Sequence, residues 1–152
     1  MEQEQTNLIE GARQQAEGYF RRGEYYCSEA VLTTINQLLG EELPAEIVKL
    51  ASGFPVGIGK SKCLCGAISG GIMALGLKYG RVEPGAEMPA NSFLRSAGLH
   101  DYIKDEYGST CCRVITAKFE DFASPKRVEH CIRITGEVAA WVMEKFIEDG
   151  VV

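Results

Sequence analysis

The chain has 152 residues, 45% hydrophobic and 24% charged, with a formal net charge of −5. Those values suit one globular domain with one core, and a 1–152 single domain is the expectation. The acidic balance, with no clustered Lys/Arg stripe, argues against nucleic acid as a partner and against a basic helix gripping anionic lipid.

The N-terminal stretch MEQEQTNLIEGARQQ lacks the basic start and apolar run of a secretory signal. Residues 6–21 read as a polar first helix ending near Gly23. Residues 27–39 form a clearer helix, with Cys27, Ala30, Val31, Thr34, Ile35 and Leu38 on one face and Gly40 as its stop. Pro44 suits the first turn of a short helix over 44–52. The segment GFPVGIGKSK, 53–62, is a loop whose glycines allow close backbone approach. A fourth helix spans roughly 65–79 and ends at Gly80, and a fifth spans roughly 86–107, with breaks expected at Pro89 and near Gly98. A short turn follows Gly108, around CCRVITAKF. In the last helix Ser124 is the N-cap and Pro125 the first-turn residue. There Val128, Cys131, Thr135, Val138, Val142 and Phe146 share a face. No strand pattern of comparable quality occurs, so the expected fold is all-α, a compact bundle of about five or six helices. The most apolar segment, 63–77, is too short and glycine-rich for a lone membrane span. No membrane insertion and a cytoplasmic setting are therefore expected.

Six cysteines stand at 27, 63, 65, 111, 112 and 131. In a reducing compartment such a count points to metal binding or redox chemistry before structural disulfides. Cys27, Cys65 and Cys112 fall at predicted helix starts, where free amides and the helix dipole favour a thiolate and lower its pKa. Cys131 lies about a turn inside the last helix. If the helix starts converge, these four thiols form one cluster. Gly66, Gly70 and Ala74, four apart, leave a smooth stripe for helix packing or for backbone approach to a bound centre. The bland readings stand beside these. Cys27 and Cys131 on apolar stripes also suit inert core thiols, and C-x-C at Cys63 and Cys65 is a weaker signal than C-x-x-C. Cys111 and Cys112 are too close for an unstrained disulfide. His130 reads as a half-exposed helix residue and His100 as a surface residue. No His-Glu-x-x-His motif, phosphate loop or dinucleotide fingerprint is present.

The landmarks CSEAVL (27–32), ASGFPVGIGKSKCLCGAISGGIMALGLKYG (51–80), YGSTCCRVI (107–115) and HCIRITGEVAAWV (130–142) together carry a resemblance. The chain resembles the C-GCAxxG-C-C family, whose label records a proposed redox role. The core motif here reads Cys65-Gly66-Ala67-Ile68-Ser69-Gly70, with the first two letters reversed relative to the label. The resemblance implies four characteristic cysteines, Cys27, Cys65, Cys112 and Cys131, with Cys63 and Cys111 as additional thiols. A related domain in a split-Soret type of cytochrome is associated with an iron–sulfur centre. The resemblance thus implies four thiolates around a [2Fe–2S] cluster, in an electron carrier or redox sensor. Covalent haem is not expected, because Cys-x-x-Cys-His is absent. Some members are encoded near transporter genes, which suggests a transporter-associated redox partner. The oligomeric state stays open, a homodimer included. Other readings are kept. One is metal-free thiol–disulfide exchange with Cys65 as the catalytic thiol and Cys63, Cys27 or Cys112 resolving. A structural zinc site in an interaction module is another, and an inert helical domain the last.

Overall fold

The structure is a computed structural model that describes residues 1–152. It is all-helical, with no strand and a single isolated bridge between Leu64 and Cys111. The elements are α1 (Glu2–Arg21), α2 (Cys27–Leu38), a 3-10 helix (Ala45–Ala51), α3 (Gly66–Tyr79), α4 (Ala90–Tyr107), α5 (Cys112–Ile115) and α6 (Pro125–Glu148).

Helix α6 is the scaffold. Ser124 caps it, its hydroxyl accepting from Arg127 N at 3.2 Å, and Pro125 sits in the first turn. Its buried face carries Ile134, Val138, Val142, Met143 and Phe146. Helix α1 lies along it most extensively, and α2 and α3 pack on it too. The fully buried Ala12 and Ala16 let the α1 backbone come close. A core of 20 buried residues joins α1, α2, α3, α4 and α6.

Several boundaries differ from those the sequence suggests. Helix α1 begins at Glu2 because its Glu- and Gln-rich start has good helix propensity and costs nothing when exposed. The segment after Pro44 is a 3-10 helix, with Pro44 just outside it. Helix α4 starts after Pro89 and runs unbroken through Gly98, which faces the half-buried Trp141 ring at 3.4 Å from where a Cβ would stand. Gly108 then ends α4 in the left-handed conformation, φ 77°.

The glycine stripe on α3 is resolved into two uses. A Cβ at Gly70 would stand 2.5 Å from the Ser28 carbonyl oxygen, so this glycine lets α3 press on the α2 backbone. A Cβ at Gly66 would collide with the Cys27 sulfur and lie 3.2 Å from the Phe54 carbonyl oxygen. The first is helix packing, and the second brings a peptide backbone against a thiol. The start of α2 is fixed further by Ser28, whose hydroxyl donates to the Ala51 carbonyl at 2.8 Å. At the opposite end, Arg95 forks onto Asp149, and the Tyr79 hydroxyl donates to the same carboxylate at 2.5 Å, tying α3 and α4 to the end of α6. No helix is long and apolar enough to cross a membrane.

Candidate functional site: a cavity with four thiols

Four elements deliver one cysteine each. Cys27 is the first residue of α2, Cys65 the N-cap of α3, Cys112 the first residue of α5, and Cys131 stands in the second turn of α6. All four line one cavity of about 650 Å³. The convergence that the helix starts permit is therefore present in the fold. Cys63 and Cys111 are not on the cavity wall. Cys63 is exposed, and the Cys111 thiol donates to the Lys62 carbonyl at 3.3 Å.

Local chemistry explains each placement. The Tyr26 amide donates to the Glu29 carboxylate at 3.1 Å, closing the first turn of α2 behind Cys27. The Cys65 amide donates to the Thr110 carbonyl at 2.9 Å, and the Cys112 amide donates to the Cys63 carbonyl. These two bonds clamp the segment before α3 to the segment before α5. Thr116 and Thr135, each four residues after a cavity cysteine, donate to the Cys112 and Cys131 carbonyls, both at 2.7 Å.

The loop that closes one wall is unusual. Val56, Gly57, Ile58, Gly59, Lys60 and Lys62 all have φ between 57° and 67°. For residues with a Cβ this left-handed backbone costs about 1–2 kcal/mol each, and most for β-branched Val56 and Ile58. Four backbone bonds of 2.9 Å hold it: Ile58 to Phe54, Gly59 to Gly53, Lys62 to Val56 and Cys63 to Gly57. The outcome is that Pro55, Val56, Gly57, Lys60 and Lys62 all reach the cavity wall.

The electrostatics correct one expectation. The helix starts do favour a Cys65 thiolate, through the Ala67 and Ile68 amides, but burial outweighs them and pushes Cys65 up to about 11. Burial also raises Cys27 far above the ordinary thiol value, with Cys65, Cys131 and Cys112 adding to the rise. Cys112 is raised by burial and by Cys131, with Arg127 and Lys62 pulling the other way. Cys131 is raised by burial, and the Arg127 guanidinium, 3.7 Å from its sulfur, counters this. Burial thus favours the protonated form of a free Cys65 at neutral pH.

The sequence reading missed the cations. Arg127 stands four residues before Cys131, a spacing that places two side chains on one helical face and could have flagged it. Its guanidinium carbon lies 3.9 Å from the Phe122 ring centroid, and Lys62 Nζ lies 4.4 Å from the same centroid. Nothing in the sequence brings Lys62 and Phe122 together. His130 is half-buried between Tyr107 and Phe119, its ring centroid 5.4 and 5.3 Å from theirs, and is absent from the cavity wall. His100 is exposed beside Asp101.

The donor set fits a cluster that takes four thiolates. No three Cys, His, Asp or Glu side chains are grouped closely enough to hold a metal ion.

Residues 25–145 match the family described as Putative redox-active protein (C_GCAxxG_C_C). Neither a comparison with curated proteins nor one with solved structures found a match. The match spans most of the chain and all six cysteines, and the chain belongs to this family.

Proposed function

From membership of this family and the shared cavity, we propose that the chain is a redox protein whose Cys27, Cys65, Cys112 and Cys131 hold a [2Fe–2S]-type cluster. It would act as an electron carrier or redox sensor. The observation that carries the reading is the convergence of four cysteines from four separate elements on one cavity. When bound, such a cluster supplies reversible one-electron chemistry at a potential set by its protein surroundings.

The chain's own residues account for the rest. Gly66 leaves room for the Cys27 sulfur against the α3 backbone. The Ala67 and Ile68 amides are placed to donate to the Cys65 sulfur. Arg127 lies against Cys131 at 3.7 Å. Donors and positive charge at a sulfur stabilise the more reduced state and raise the potential. Buried Ile115, Ile134 and Ala67 on the wall limit water at the thiols.

A second reading draws on the bond from the Cys112 amide to the Cys63 carbonyl, which sets an exposed cysteine beside a cavity cysteine. Here a partner disulfide would be reduced to two thiols while two cysteines of this chain become a disulfide. Anaerobic purification with iron, sulfide and absorption measured on one sample tests the choice. The cluster reading expects iron and sulfide that are lost in Cys65→Ser and kept in Cys63→Ser. Metal-free protein with a reversible disulfide supports the second reading instead.

A further inference from the structure

The cavity carries more than thiols. Its wall holds three cations, Lys60, Lys62 and Arg127, and none lies within ion-pair distance of a carboxylate. Both carboxylates on the wall are engaged elsewhere. Glu24 pairs with Arg22 at 2.9 Å, and Glu29 accepts from the Tyr26 amide and, at 2.9 Å, from the Ser52 hydroxyl. A chain of net charge −5 thus places unpaired positive charge around one concavity. Two of the cations rest on one Phe122 ring. Like charges held together without a counter-ion repel, and an anion between them relieves the repulsion.

The thiols account for part of this charge, since Lys62 and Arg127 both favour a Cys112 thiolate and a four-thiolate centre would share them, but they leave Lys60 at the rim without a partner. Arg127 alone donates to a sulfur, whereas Lys60 and Lys62 donate no side-chain hydrogen bond to one. The space is also large. About 650 Å³ falls within the range of small-molecule sites, roughly 300–1,000 Å³. Its remaining wall is mostly apolar, including Phe20, Tyr25, Val128 and Ile134, while exposed Lys60 and Tyr26 mark the rim.

We propose that this cavity binds a small organic anion, an apolar body bearing a carboxylate or sulfonate. The acid group sits at the Lys62–Phe122–Arg127 clamp and the body lies against the apolar wall. The inference stands on the walls and their charge, and goes beyond the redox reading of the thiols.

The test is a fluorescence titration of the intact chain with 8-anilinonaphthalene-1-sulfonate, with neutral N-phenyl-1-naphthylamine as the uncharged control. The expected result is saturable one-to-one binding of the sulfonate, together with a rise in melting temperature. Lys62→Gln and Arg127→Gln should each weaken sulfonate binding by roughly tenfold, the order expected for losing one charge-assisted contact, and leave the neutral probe unaffected. If Arg127→Gln does not fold, Lys62→Gln decides. Absence of saturable binding, equal loss for both probes, or unchanged sulfonate affinity in Lys62→Gln overturns the proposal. Protein that binds the sulfonate but shows no redox couple leaves this inference standing and removes the redox reading. The opposite pattern does the reverse.

Discussion

Gly66→Ala is the most revealing single substitution. The added methyl group meets the Cys27 sulfur, the Phe54 carbonyl oxygen at 3.2 Å and Pro55 Cα at 3.4 Å. Two of those neighbours are backbone and cannot swing aside, so the thiol must move. Overpacking of this kind costs about 1–3 kcal/mol. In a protein of this size that lowers the melting temperature by about 2–12 °C. Two further glycines calibrate the effect. Gly76 has nothing within 4 Å, so Gly76→Ala relieves a helical glycine and should stabilise by up to about 1 kcal/mol. Gly70→Ala would press on Ser28, with its carbonyl oxygen 2.5 Å and its Cα 2.7 Å away, and should destabilise through helix packing. Thermal unfolding gives the stability, and iron content with Cys27 alkylation reports the site. Gly66→Ala should lose stability and displace Cys27 from the cluster of thiols. Wild-type stability and an undisturbed Cys27 in that variant would refute the close-approach argument.

Three further predictions use other parts of the molecule. In metal-free reduced protein, alkylation of Cys65 should rise with pH toward about 11, well above the ordinary thiol value. Because that thiol keeps its proton in the folded chain after the unfolded chain has lost it, stability should fall as pH climbs from about 9 to about 11; urea midpoints across that window check the sign. Asp149→Asn removes a carboxylate that accepts from Arg95 and Tyr79, and should cost about 1–3 kcal/mol in urea unfolding while leaving the cavity thiols in place. Arg95 and the Tyr79 hydroxyl hold the Asp149 carboxyl below its ordinary range, so this contribution is full above about pH 4 and lost as acid protonates the folded carboxylate. Ser124→Ala deletes the α6 cap and should cost about 1 kcal/mol by the same urea measurement.

What was readable in advance follows from how local the cause is. Helices α2 and α6 announce themselves through apolar stripes and end signals, and the four cavity cysteines through their places near helix starts and the family motif. The 3-10 helix after Pro44 was not separable from an α-helix, because seven residues carry too little periodicity to tell the two apart. The left-handed loop was hidden for a different reason. Val56 and Ile58 are among the residues least suited to that backbone, and only the surrounding hydrogen bonds impose it. The thiol electrostatics reversed because a helix start is local while burial is a property of the packed cavity. Lys62 and Phe122 meet through tertiary structure alone, so their shared clamp with Arg127 left no spacing signal.

The most direct measurement is iron and acid-labile sulfide per chain, with the visible spectrum, on anaerobically purified wild type, Cys65→Ser and Cys63→Ser. The account predicts about two irons and two sulfides in wild type and Cys63→Ser, with charge-transfer bands that vanish in Cys65→Ser. A colourless wild type without iron, or a Cys65→Ser protein that keeps its full complement, contradicts it.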